Sequence, residues 1–67
     1  MIKEAVKNLK DEARKNIKIQ MVLEKINAKM PYILEFPDAA SIEEICEYNR
    51  IIYQELDDEK LRNKIMA

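Results

Sequence analysis

Few side chains in this sequence can do bond-making chemistry, and those that can lack the usual neighbours. The chain has one cysteine, Cys46, and neither histidine nor glycine. General acid–base catalysis, an activated nucleophile and a phosphate-binding loop ordinarily depend on those residue types. We therefore expect no enzymatic activity, no catalytic residue and no cofactor.

Two features bear on metal and thiol chemistry. Glu55, Asp57, Asp58 and Glu59 form an acidic cluster, but the cluster lacks the glycine and the ligand spacing of a calcium loop. A zinc site needs more soft ligands than one thiol provides, so we expect no bound metal. Cys46 falls beside the apolar stripe of a predicted helix, which indicates a buried, unreactive thiol.

Charge is distributed unevenly along the 67 residues. Residues 1–30 contain eight of the twelve Lys and Arg against four acids, whereas residues 31–59 contain nine acids and a single cation, Arg50. Such segregation favours helices that lie against each other or against an oppositely charged partner. A domain of this size is marginal alone, so the sequence predicts stabilisation by a partner or by dimerisation.

Targeting signals are not apparent. No apolar run approaches the roughly 20 residues of a membrane span, and the N-terminus does not resemble a signal peptide. We expect no membrane contact and a cytoplasmic location.

The elements that would position these residues are helices. The composition predicts an all-α fold, either a small three-helix bundle or a helical hairpin with a short third helix. The expected organisation is one helical domain over 1–67, with helices over about 2–30, 42–57 and 59–66 and a linker over 31–40.

The first segment carries two apolar stripes, so it is either one long helix packed on two sides or two helices joined by a bend near Asn16. A heptad interpretation makes Asn16 a polar, register-setting interruption of a helical seam. One stripe is available for the core and the other for a partner. The stripes are Ile2, Val6, Leu9, Ala13, Ile17 and, rotated around the helix, Ile19, Leu23, Ile26, Met30.

Prolines and helix-capping residues mark the predicted helix boundaries in the rest of the chain. Pro31 ends the first segment, and the apolar stretch from there to Pro37 is expected to cover the end of the core, with a docking motif as the alternative. Ser41 and Glu44 form a capping box, and Asp58 is expected to cap the last helix. The predicted apolar stripe of the helix after Ser41 contains Ile42, Ile45, Asn49, Ile52 and Leu56, with Cys46 and Tyr53 beside it.

Two stretches resemble a known family. Residues 12–24, Glu-Ala-Arg-Lys-Asn-Ile-Lys-Ile-Gln-Met-Val-Leu-Glu, resemble the inhibitory helix of the small VbhA-like antitoxins of Fic-domain AMP-transferases. In that family an Ala-Arg pair precedes a Ser/Thr-x-x-x-Glu-Gly/Asn motif. Here Gln20 stands at the Ser/Thr position and Lys25 at the Gly/Asn position. Residues 51–61 resemble the family's acid-rich turn into a last short helix.

The resemblance implies that Glu24 pairs with an arginine of the Fic active site and obstructs placement of the ATP γ-phosphate. We therefore expect a non-enzymatic regulator, an inhibitor or antitoxin, that binds one protein partner through the basic first helix and the second apolar stripe. The expected partner-binding residues are Glu24, Gln20, Leu23, Arg14, Lys18, Ile19 and Ile26.

The alternative is a self-associating helical module, associated with nucleic acid through the basic first helix. Cations recur there at helical spacing, at Lys3, Lys7, Lys10, Arg14, Lys15 and Lys18. Nucleic acid is disfavoured because the net charge is −1 and no aromatic residue precedes Tyr32. A concentration-dependent melting temperature would indicate the self-associating module.

Overall fold

The computed structural model describes all 67 residues, and it confirms the all-α class. The elements, in chain order, are α1 (Ile2–Ala13), α2 (Ile17–Lys29), α3 (Pro31–Glu35), a 3₁₀-helix (Pro37–Ala39), α4 (Ile42–Glu55) and α5 (Glu59–Ile65). There are five α-helices where the sequence predicted three.

The first segment is two helices, so the expectation of one helix over about 2–30 is wrong and the bend near Asn16 is correct. Asn16 has extended backbone angles, φ −137° and ψ 116°, and its side-chain oxygen accepts a hydrogen bond from Lys18 N at 2.9 Å. It is therefore the N-cap of α2, a role for which asparagine is among the preferred residues. A continuous heptad seam through Asn16 does not form.

The expected linker over 31–40 is mostly helical. Pro31 and Pro37 each occupy the first turn of a short helix, where the missing N–H costs nothing because helix-start amides have no partner in the helix. Ile33 and Leu34 of α3 are buried. This segment closes one end of the core, as the sequence predicted, but as helices.

The capping box before α4 is present. Glu44 N donates to Ser41 Oγ at 3.1 Å, and Ser41 N donates to Glu44 Oε1 at 2.8 Å. Asp58 likewise caps α5, because its carboxylate accepts a hydrogen bond from Leu61 N.

The buried face of α4 is rotated from the predicted stripe. Ile42 is 78% exposed and Cys46 is also exposed, whereas Tyr48 and Ile51 are buried. The prediction of a buried Cys46 thiol is therefore wrong. Apolar residues occupy two adjacent faces of this helix, and the core takes the face that contains the large Tyr48 ring.

Fourteen side chains form the core, and all are hydrophobic. The Tyr48 hydroxyl donates to the carbonyl of Ile65, which ties α4 to the C-terminal end of α5. Two amides act similarly at the surface: Asn8 donates to Lys64 O at 2.8 Å, and Asn49 exchanges two hydrogen bonds with Ala67. Helix ends that would otherwise leave carbonyls unpaired are thus joined to neighbouring helices.

Candidate functional site

The outward face of α2 is the most exposed apolar helix surface that borders a groove. At about 100° per residue, Ile17, Gln20, Met21, Glu24 and Ala28 share one side of this helix. Ile17 is 73% exposed and Met21 is 59% exposed. We call this surface, defined by Ile17, Gln20, Met21 and Glu24, the α2 face.

The opposite side of α2 is fixed in the core. Ile19 and Ile26 have no exposed surface, and Val22 is 2% exposed. Ile19 and Ile26 were expected to contact a partner, and their burial corrects that expectation, because a fully buried side chain cannot contact a second molecule without unfolding of the helix. They anchor the helix that presents the α2 face.

The other expected site residues are not all on one surface. Gln20 and Glu24 lie on the α2 face, and Leu23 is half-buried at its edge. Lys18 is exposed at the start of α2, and Arg14 is exposed in the turn that precedes it. The structure therefore brings Gln20, Glu24 and Lys18 to the surface of one helix, while Arg14 belongs to the end of α1.

Glu24 makes no ion pair and no hydrogen bond through its carboxylate, and it is exposed. Its neighbour Lys25 is directed to α4, where its ammonium lies 2.8 Å from a Glu55 carboxylate oxygen. The adjacent positive charge is thus engaged elsewhere. The Glu24 carboxylate is free to accept hydrogen bonds from a second molecule.

An open groove of about 770 Å³ runs beside the α2 face. It is lined by Ile17, Met21 and Val22 of α2 and by Leu56 and Leu61 from the side of α4 and α5. Glu55, Asp57 and Asp58 line the groove at the junction of α4 and α5. Both stretches that carry the family resemblance, residues 12–24 and 51–61, contribute to this groove.

Ion pairs hold α2 against α4 along the edge remote from the groove. Lys29 Nζ lies 3.1 Å from Glu47 Oε2, and Arg50 Nε donates to Glu47 Oε1 at 2.8 Å. The pKa of the Glu47 carboxyl is lowered to about 2, mainly by the hydrogen bond from Arg50 and, to a smaller extent, by that from Lys29. The Arg50–Glu47 pair lies within α4, whereas the Lys29–Glu47 pair joins α2 to α4. The pair between the helices could not be predicted, because its partners are distant along the chain.

The basic first helix is a separate surface. Lys3, Lys7, Lys10 and Arg14 lie at i, i+4, i+7 and i+11, so they share one side of α1. Lys10 Nζ donates to Leu34 O at 2.7 Å and so caps α3. The basic residues and the second apolar stripe, expected on one continuous helix, therefore lie on α1 and α2 respectively.

The other chemistry-bearing residues do not form a site. No three His, Cys, Asp or Glu side chains come together in a metal-binding arrangement. Cys46 is a free thiol on the surface of α4. The Arg62 guanidinium lies 4.5 Å from the centre of the Tyr53 ring, which is a cation–π contact within the domain.

The helices are too short or too polar to cross a bilayer; none has the length and apolar character of a membrane span. Comparison with family models, with curated proteins and with solved structures found no match to this chain.

Proposed function

We propose that this chain is a small protein-binding regulator that docks on one protein partner through the α2 face. The observation that carries the proposal is the exposure of Ile17 and Met21, at 73% and 59%, beside a carboxylate with no partner of its own. Adjacent exposed apolar side chains on a helix are typical of a helix-in-groove interaction.

The anchoring of α2 supports this role. Ile19, Val22 and Ile26 fix its inner side in the core, and the Lys25–Glu55 and Lys29–Glu47 pairs hold its flank against α4. A partner therefore meets a preformed helix, which lowers the entropy lost on binding. The docking surface is therefore preformed although the domain is small.

The finer proposal is inhibition of a Fic-domain AMP-transferase by Glu24. A carboxylate on a rigid helix forms a charge-assisted, bidentate pair with arginine, and such a pair in the active site would occupy the anion pocket that ATP needs. Glu24 has no internal partner to give up on binding. The turn at residues 14–16 means that only the part of the resembling stretch from Ile17 onward acts as one helix.

The coarser proposal is tested by mass action. A partner that binds the folded chain raises its melting temperature, by an amount that corresponds to about 2.7 kcal/mol at a hundredfold excess over Kd. We expect this rise with the partner and no dependence of melting on the chain's own concentration. Melting that rises with the chain's own concentration, in the absence of a partner, would contradict the proposal and favour the self-associating module.

The finer proposal is tested with a Fic-type enzyme, recognised by a His-Pro-Phe-x-x-Gly-Asn motif in a neighbouring reading frame. We expect the parent chain to block AMP transfer from ATP, and Glu24→Gly and Glu24→Gln to bind without blocking it. Glu43→Gln is the matched control, since Glu43 is also an exposed helix acid outside every ion pair of the domain. Full inhibition by Glu24→Gln would show that Glu24 is a solvated acid with no inhibitory role.

A further inference from the structure

The groove beside the α2 face has an apolar interior and an acidic end. Ile17, Met21, Leu56 and Leu61 supply apolar surface, and Asp57 and Asp58 lie at the α4–α5 junction. Resting on the proposed function, we infer that the groove binds a segment of the protein partner in which an apolar side chain is flanked by lysine or arginine. The proposed function requires only a docking face; this inference assigns the chemistry of what docks there.

The apolar part of the groove has surface that the chain itself leaves uncovered. Ile17 and Met21 stand on the rim, while Leu56 is 3% exposed and forms part of the floor. A side chain of leucine or phenylalanine size placed there would contact both helices. Its removal from water is the largest favourable contribution that this surface offers.

The charges at the groove select the flanking residues of the segment. Glu55 is paired with Lys25, and Asp58 accepts a hydrogen bond from Leu61 N at 3.2 Å. Asp57 makes no ion pair within the domain, and the groove lining contains one cation, Lys18, against three acids. The junction therefore keeps negative charge that an approaching cation would complement and an approaching carboxylate or phosphate would oppose.

A second copy of this chain is the competing occupant, because its exposed Ile17 is flanked by Lys15 and Lys18. It would bring Lys18 of one copy towards the Lys18 that lines the groove of the other, a like-charge contact that a segment of the partner avoids. Self-association through the groove would appear as concentration-dependent line broadening and is an outcome that overturns the inference.

The probe is a synthetic amphipathic peptide of about 18 residues, long enough to form a helix, with leucine on one face and lysine on the other. A matched peptide carries glutamate in place of lysine. We expect the lysine peptide to shift the methyl resonances of Ile17, Met21 and Leu61 and the glutamate peptide to bind at least about tenfold more weakly at low salt. Equal binding of the two peptides, no binding by the lysine peptide, or shifts confined to other residues would overturn the inference.

Two pairs of variants separate the charge from the apolar surface. Asp57→Asn with Asp58→Asn removes two charges but keeps a capping residue at 58, and we expect about three- to tenfold weaker binding of the lysine peptide. The control, Asp38→Asn with Glu43→Gln, removes two exposed charges away from the groove and should leave binding unchanged. Equal loss in both would mean that net charge, and not the groove, attracts the peptide.

Ile17→Gln tests the apolar rim, with Ile42→Gln as its control. Both isoleucines are the first residue of a helix and both are exposed, at 73% and 78%. Only Ile17→Gln should weaken binding of the lysine peptide. If Ile17→Gln weakens binding of the partner while Asp57→Asn with Asp58→Asn leaves it unchanged, this inference fails and the proposed function survives. Loss of inhibition through Glu24→Gln alone reports on the proposed function and not on the groove.

Discussion

Both α2 and α4 expose apolar side chains on their outward sides, and the two helices differ in the contacts that these side chains make within the domain. On α2, Ile17 and Met21 border an open groove. On α4, Ile42, Cys46 and Tyr53 lie at i, i+4 and i+11 and form a comparable stripe, which we call the α4 face.

The α4 face is partly used within the domain. Arg62 of α5 packs its guanidinium 4.5 Å from the Tyr53 ring, and Asn49, between the two ends of the stripe, holds the terminal residue Ala67 by two hydrogen bonds. The α2 face has no such internal contacts. Exposure alone therefore does not identify a docking surface; the absence of internal contacts beside a groove distinguishes α2 from α4.

The largest effect should separate the two sides of α2. Ile19→Ala removes a fully buried side chain and should lower the free energy of unfolding by about 2–5 kcal/mol. Ile17→Ala, two residues earlier on the exposed side, should change it by less than about 0.5 kcal/mol. Urea denaturation measures both, and equal losses would mean that Ile17 is packed and not available to a partner.

An intermediate effect should separate the two tyrosines of α4. Tyr48→Phe leaves the Ile65 carbonyl without its donor inside the core, which should cost about 1–3 kcal/mol in the free energy of unfolding. Tyr53→Phe, on the exposed α4 face, keeps the ring under Arg62 and should be nearly neutral. A neutral Tyr48→Phe would show that the hydroxyl bond does not hold α5 in place.

The burial of Tyr48 also predicts that the free energy of unfolding falls at alkaline pH. Burial raises the pKa of its phenol, so the folded state keeps the proton that the unfolded chain releases near pH 10. Stability present below that pH is lost as the pH rises above it. Denaturation between about pH 9 and 12 should show a steeper fall for the parent than for Tyr48→Phe, and parallel curves would argue against a buried phenol.

The smallest effect concerns the ion pairs that Glu47 makes with Arg50 in α4 and with Lys29 in α2. The pKa of Glu47 is lowered from its ordinary value of 4.5 to about 2, so the unfolded state binds a proton before the folded state does. Its stabilisation is present above about pH 4.5 and is lost as the pH falls through about 2. Glu47→Gln should therefore be less stable than the parent at pH 7, and the difference should close towards pH 2. A difference that persists at pH 2 would point to packing and not to charge.

Local signals predicted the starts of α4 and α5 and the end of α2. The Ser41–Glu44 capping box and the Asp58 cap depend on neighbouring residues, as does the helix stop before Pro31. The apolar spacing of Val6, Leu9 and Ala13 likewise predicted the inner side of α1. Such features can be predicted from the sequence because each depends only on residues within one or two helical turns.

The rest depended on contacts between distant segments. Helix α4 has two adjacent apolar faces, and the buried one contains Tyr48. The Tyr48 hydroxyl donates to the Ile65 carbonyl, a contact with a segment that is distant along the chain. The prediction that the Cys46 thiol is buried is wrong for the same reason. Nor does a proline indicate whether it ends one helix or begins the next, and Pro31 does both. The exposure of Glu24 and Gln20 was predictable. The ion pair between Lys25 and Glu55, which leaves Glu24 without a neighbouring cation, was not.

Methyl cross-saturation in the partner complex tests the central claim most directly. The chain is deuterated except for its isoleucine and methionine methyl groups, and the protonated partner is irradiated. If the α2 face is the docking surface, Ile17 and Met21 lose intensity and Ile42 keeps it. Loss at Ile42 with Ile17 and Met21 unaffected would place the partner on α4 and contradict the account.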